Sequence, residues 1–399
     1  DYLRGTVSHE HIQFATVVGS TDLGPSRNYC WYTLGFLAGR SSNRVDFYVR
    51  SSSIFNPSYS FQSYRYQASS STFKSAGYTE AQARHTMLES IRLADKARKD
   101  FLDEKRQSQG APKIALSLGP FGASLSPAQE FDGYYPPPYG PVEFSEEGHL
   151  YNCFDEGDME GEQKSIEALA KFHLDRLLVF AQDRETWAKV DILAFETVPL
   201  VREVKAIRKA MRSLESISAA EGATAPKPWW ISFVLPNGKC PQTQRRGGPR
   251  LTVGDLVSAA LVWTPRDATD FDGTSGPLPT PTAVGINCTS PELIPGLVTE
   301  ITLAVDSFRA SLPTSPWLVL YPNGGDVYDI ISRSWILASE DKKHSWAVDL
   351  KQTVHSVSQD HSGVWGGFII GGCCRTGPDL ISRLKEELSS SHASSQAKL

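Results

Sequence analysis

Three cysteines in this chain stand where strands would end. Cys288 closes the run "TAVGINC", and Cys373 and Cys374 close "GGFIIGGCC", an apolar stretch that runs into two glycines. Neighbouring side chains on a regular strand point to opposite faces, so adjacent cysteines need a sharp backbone turn to act together, which Gly371 and Gly372 permit. Three thiolates meeting at one point can hold zinc tetrahedrally and leave a fourth position open, the feature that separates a catalytic zinc from a closed structural one. Simple packing accounts equally for Cys288 taken alone, because free cysteine behaves as a small hydrophobe, and a vicinal disulfide or packing stays open for the pair. Cys30, Cys153 and Cys240 lie in loops or unassigned sequence and suggest no shared role.

The elements that must position these thiols alternate in type. "KIALSLG" precedes the helical pattern "GEQKSIEALAKFHLDRLLVFAQD", and "VDILAFETVP" precedes "LVREVKAIRKAMRSLESI". "PWWISFVLP", "TAVGINCTS", "PWLVLYPNGG" and "GGFIIGGCC" are each followed in turn by a helix-length segment. Parallel neighbours need crossover connections, so six strand-then-helix units predict a parallel sheet covered by helices. A strand near Phe61–Ala68 ahead of "YTEAQARHTMLESIRLADKARKDFL" makes a seventh unit. The fold class is therefore α/β, a (β/α)8 TIM-type barrel whose first strand-helix unit is missing or altered, since residues 1–60 show no clean period of 2 or 3.6. In such a barrel the strand ends gather at one mouth, where Cys288 and the Cys373–Cys374 pair can meet.

Composition sets the outer limits. The chain has 399 residues, 21% charged and 40% hydrophobic, with a net charge of -5. This is the profile of an ordinary soluble, cytoplasmic protein with a large core, and it points to neither nucleic acid nor membrane as a partner. No basic and apolar leader opens the chain, and its start on Asp1 fits a fragment or an altered gene model. Six cysteines in this length do not make a disulfide framework. Gly, Pro and Ser punctuate "SAAEGATAPKP", "LPNGKCPQTQRRGGPR" and "TPRDATDFDGTSGPLPTP", which read as surface insertions, and 389–399 reads as a disordered tail.

In order and spacing, "YQASSSTFKSAGYT", "SLGPFGASLSPAQEFDGYY", "LAFETVPLVREVKAI", "GINC", "WLVLYPNGG" and "GGCCRTGPDLI" resemble the homocysteine S-methyltransferase family. The resemblance spans a barrel domain at 61–388. It implies zinc held by Cys288, Cys373 and Cys374, a homocysteine thiolate as methyl acceptor, and methionine as product. A sulfonium compound, S-methylmethionine or S-adenosylmethionine, is the implied donor. It also assigns Glu196, in "AFETVP", to substrate binding, where a carboxylate would meet the amino acid's ammonium group. A glutamate at that strand end could instead cap the next helix or pair with Arg202.

Asn287, beside Cys288, is a candidate to orient a ligand or to hold a loop. Gly119 and Phe121, in "GPFGA", are candidates for a tight turn that brings substrate to the backbone, or for the turn alone. "NGGD" at Asn323–Asp326 lacks phosphate-loop spacing and reads as a simple loop. "DKARKDFLDEKR" reads as a solvated helix face, and His173 shows no ligating spacing. The family's Asp-Gly-Gly turn after the first strand is absent from residues 1–63. Two further readings therefore stand beside the enzyme: an inactive zinc-binding relative, and a redox-responsive, non-enzymatic barrel using Cys373 and Cys374.

Overall fold

Strands and helices alternate as the apolar runs require. In chain order they are β1 (Ile12–Phe14), β2 (Val18–Thr21), β3 (Cys30–Gly39), β4 (Arg44–Ser51), α1 (Ser70–Ser75), α2 (Glu80–Glu104), β5 (Lys113–Leu118), α3 (Met159–Ala181), α4 (Arg184–Lys189), β6 (Ile192–Val198), α5 (Val201–Ala220), β7 (Trp229–Phe233), α6 (Val253–Leu261), β8 (Ala283–Asn287), α7 (Ile294–Phe308), β9 (Trp317–Tyr321), β10 (Val327–Asp329), β11 (Ser334–Ile336), α8 (Glu340–Asp360), β12 (Gly367–Ile370) and α9 (Pro378–Gln396). The structure, a computed structural model, describes residues 12–14, 18–21, 30–39, 44–51, 68–104, 113–220, 227–262, 277–329, 334–336 and 339–396, with β1 to β4 described by backbone course alone.

The six expected strands pair in parallel in the order β5-β6-β7-β8-β9-β12. Every residue of β6, β7 and β8 is buried, as happens when both faces of a parallel sheet are covered. Alternation divides them. Leu193, Phe195, Ile231, Phe233, Val284, Ile286, Leu318 and Leu320 face a core shared with helix residues such as Ile207, Met211, Val257, Ile301 and Val354. Ala115, Ala194, Trp230, Ala283, Val319, Tyr321 and Ile369 form a separate inner cluster. On α5, Val204, Ile207, Ala210, Met211 and Leu214 recur every three or four residues, which places them on one buried stripe. Each large apolar side chain so buried contributes about 1.5–3 kcal/mol.

Two expectations change at the N-terminal side. The strand predicted at Phe61–Ala68 lies almost wholly outside the described residues, and Ala68 precedes the Ser69 cap of α1. The parallel neighbour of β5 is β4, drawn from the region where no strand was expected. β1 lies parallel to β12, while β3 runs antiparallel to both β4 and β1, so the sheet returns on itself. Antiparallel neighbours join through short turns and need no crossover helix, and among the described residues no helix precedes α1.

Two smaller readings are refined. The charged run expected to be solvated is largely so, with the side chains of Lys96, Lys99 and Asp100 more than half exposed, but Asp95 is buried between Arg98 at 2.5 Å and Lys99 at 2.9 Å. The insertion "LPNGKCPQTQRRGGPR" is not wholly at the surface, since Cys240 and Gln242 are buried and the Gln242 side chain accepts from Val201 N at 2.7 Å. The backbone of α9 runs as far as Gln396. Among the described residues no helix is long and apolar enough to cross a membrane.

Candidate metal centre

Cys288 follows β8 directly, and Cys373 follows β12 after Gly371 and Gly372. Cys288 Sγ stands 2.8 Å from Cys373 Sγ and 3.9 Å from Cys374 Sγ, and all three sulfurs lie within 4.8 Å of one another. No other such group of His, Cys, Asp and Glu occurs among the described residues. Burial is graded: Cys288 is buried, Cys373 intermediate and Cys374 exposed. Cys153, Cys240, Cys288, Cys373 and Cys374 are free thiols.

Backbone conformation makes the convergence possible. Cys288 has φ 48° and Arg375 has φ 64°, left-handed values that are uncommon outside glycine and that turn each segment sharply as it leaves its strand. The Cys373 carbonyl accepts from Thr376 N at 3.2 Å and from Thr376 Oγ1 at 2.5 Å, closing the second turn.

The donor set fits zinc. Tetrahedral zinc with bonds near 2.3 Å puts its sulfurs about 3.8 Å apart, close to the Cys288–Cys374 separation of 3.9 Å. The Cys288–Cys373 pair would open by about 1 Å to reach the same geometry. The neighbouring thiols of Cys373 and then Cys374, with burial added, hold the Cys288 thiol well above its ordinary range. A cation held at this point would supply positive charge to offset three crowded thiolates. Exposure on the Cys374 side leaves the approach that an open fourth position needs.

Other candidate residues divide into two groups. Asn287 is fully buried and holds the end of β6: its Oδ1 accepts from Thr197 N at 2.8 Å and its Nδ2 donates to Thr197 Oγ1 at 2.8 Å. Asn287 Nδ2 also lies 4.0 Å from Cys373 Sγ, and Thr197 Oγ1 lies 3.8 Å from Cys288 Sγ. Glu196, the residue before Thr197, is 1% exposed, and its Oε2 accepts from Ser117 Oγ at 2.8 Å. Arg202, weighed as its partner, is engaged elsewhere. Arg202 instead donates to the carbonyls of Asn152 and Gly133, because α5 carries it under the loop that follows β5.

Gly119 and Phe121 make a different neighbourhood. The Gly119 carbonyl accepts from Arg176 at 2.7 Å, and Phe121 N donates to Glu203 Oε1 at 2.6 Å. The Phe121 ring stacks on Tyr139 at 3.9 Å and meets Tyr135 and Phe172 edge-on. Glu203 is fully buried and also accepts from Tyr135 Oη at 2.8 Å and lies 3.0 Å from His173 Nε2. Burial pulls the Arg176 guanidinium down to about 10, against the opposing charge of Glu203.

Sequence reasoning passed over Thr197, Ser117 and Glu203. Thr197 sits at φ 60°, a strained position for a β-branched residue and a mark of sites where geometry is imposed. Its place inside "AFETVP" was the one available signal. Nothing in "LVREVKAI" distinguishes Glu203 from a solvent-facing helix glutamate.

Sequence comparisons with known proteins point to one relationship. The family model described as Homocysteine S-methyltransferase matches residues 60–388. Homocysteine S-methyltransferase YbgG of Bacillus subtilis (strain 168) is 27% identical over 321 residues, covering 80% of this chain and 76% of that protein. Homocysteine S-methyltransferase of Escherichia coli (strain K12) is 29% identical over 320 residues, covering 80% and 76%. The crystal structure of the homocysteine methyltransferase MmuM from Escherichia coli in its metallated form is 25% identical, with a TM-score of 0.45, and covers 80% of this chain and 76% of that one.

Proposed function

The chain belongs to the homocysteine S-methyltransferase family, and from that membership we propose that it transfers a methyl group from a sulfonium donor to the thiol of homocysteine, forming methionine. S-methylmethionine and S-adenosylmethionine are the donors of this chemistry, and the curled parallel sheet belongs to a TIM-type (β/α)8 barrel. The observation that carries the reading is the convergence of the Cys288, Cys373 and Cys374 sulfurs within 4.8 Å at the ends of β8 and β12.

These three residues would hold zinc as thiolates. When bound, the ion supplies the Lewis acidity that lets a substrate thiol lose its proton at neutral pH. The chain's own groups do the rest. Asn287 ties β8 to Thr197 and so fixes Cys288 beside the end of β6. Glu196, buried and held by Ser117, offers a carboxylate to the homocysteine ammonium group. A positioned amino acid presents its sulfur in line with the donor methyl.

The electron count needs no acid on the donor side. A new bond forms between the acceptor thiolate and the methyl carbon as the carbon–sulfonium bond breaks, and the bonding pair stays on the departing sulfur as a neutral thioether. Charge is cancelled as reactants become products, so a water-poor site favours the reaction. Methionine formation from homocysteine and S-methylmethionine by the purified chain is the test. Glu196→Gln is expected to raise KM for homocysteine more than it lowers kcat, and unchanged kinetics in that variant would remove Glu196 from the site.

A further inference from the structure

The loop 322–326 after β9 contributes no sulfur, yet it lies between the two turns that do. β9 separates β8 from β12 in the sheet, so Cys288 and Cys373 leave strands that are two spacings apart, about 9.6 Å. Their sulfurs nevertheless stand 2.8 Å apart. The two turns must therefore lean toward each other across the end of β9.

Backbone contacts from this loop fix the lean on both sides. Asn323 N donates to the Thr289 carbonyl at 3.0 Å, one residue past Cys288. Cys373 N donates to the Pro322 carbonyl at 2.8 Å, and Gly324 N donates to the Cys374 carbonyl at 2.8 Å. The Asn323 carbonyl is anchored from behind by Trp346 Nε1 at 2.9 Å. Next to the cysteine pair, Arg375 Nε donates to Asp326 Oδ2 at 2.7 Å. The cysteine turn crosses so closely over Gly324 that a Cβ there would lie 2.8 Å from the Arg375 carbonyl carbon.

We propose that Pro322–Asp326 is a clamp that sets the spacing of the metal ligands, with Gly324 and Asp326 as positioning residues that donate no atom to the metal. The inference rests on the metal-centre reading above. A cation gains most from sulfurs already at ligand spacing, because turns that must be gathered first subtract the cost of ordering them from the binding energy. Gly324 provides the room to cross, its N–H and that of Asn323 hold one turn each, and the Asp326–Arg375 pair pins the residue after the ligands. The "NGGD" motif thus works through backbone N–H groups, a missing side chain and the Asp326 carboxylate.

The test uses the full chain and three variants. Gly324→Ala forces Arg375, and with it Cys374, away from the loop. Asp326→Asn keeps the volume and removes the charge, and its partner, with a side chain 42% exposed, can turn to water. Gly296→Ala, at a helix position with nothing within 4 Å of the added carbon, is the control. Zinc affinity is read by chelator competition, ligand geometry by the absorption spectrum of the cobalt-substituted protein, and folding by circular dichroism and thermal unfolding. Gly324→Ala and Asp326→Asn are expected to bind zinc about 10–100-fold more weakly, with an altered cobalt spectrum and control-like unfolding. Parent-like zinc affinity and cobalt spectrum in folded Asp326→Asn would overturn the clamp, and this variant decides if Gly324→Ala does not fold. A folded parent chain that binds no metal would instead overturn the metal-centre reading, and the clamp with it.

Discussion

Replacing Glu203 by alanine gives a stability loss that the geometry sets in advance. The carboxylate is fully buried, accepts from Phe121 N at 2.6 Å and Tyr135 Oη at 2.8 Å, and is paired with His173 Nε2 at 3.0 Å. Each orphaned buried donor costs about 1–3 kcal/mol. The Tyr135 hydroxyl can rotate, but the Phe121 backbone N–H cannot, so the expected loss is about 3–5 kcal/mol, the range for breaking a buried polar pair on one side. Glu203→Gln keeps the volume and one acceptor oxygen, and should lose less than half as much. Urea denaturation followed by fluorescence measures both losses. Near-ultraviolet circular dichroism should weaken at the same time, because Phe121, Tyr135, Tyr139 and Phe172 pack together above this carboxylate. A Glu203→Ala chain within about 1 kcal/mol of the parent would refute the argument that this network holds the loop after β5.

Two further outcomes follow from other buried groups. Burial holds the His173 imidazole below its usual 6.5, against the opposing pull of Glu203. The unfolded chain therefore takes up this proton first as pH falls through 6.5, so stability drops below that pH, and His173→Gln should flatten that part of the pH–stability profile measured by urea midpoints. Asn287→Ala leaves Thr197 N without its side-chain acceptor, with an expected loss of about 1–3 kcal/mol. The same variant should weaken zinc binding measured by chelator competition, and parent-like affinity would separate Asn287 from the metal centre.

The convergence of the three cysteines was legible because strand-end position is written in the sequence. "GINC" and "GGCC" each end an apolar run, and six such runs with following helices impose a parallel sheet. The clamp was not legible. Asn323 and Gly324 act through main-chain N–H groups, which every residue but proline carries. Thr197 was passed over for a related reason, since its φ of 60° is a property of the fold and not of threonine. A helix glutamate with charged neighbours usually faces solvent, so the sequence does not mark Glu203 as buried. β4 is a different case, where the signal was present. Val45, Phe47 and Val49 alternate with Arg44, Asp46, Tyr48 and Arg50, a fair strand pattern. The segment has no clear helix pattern of its own beside it, and a strand without one does not complete a barrel unit.

The most direct test of the account is zinc content and turnover measured on the same preparation. Elemental analysis of the purified chain should find about one zinc per chain, absent from a Cys373→Ser, Cys374→Ser variant, and homocysteine with S-methylmethionine should yield methionine only in the parent. A folded parent chain that holds no zinc and forms no methionine would contradict the account at its centre.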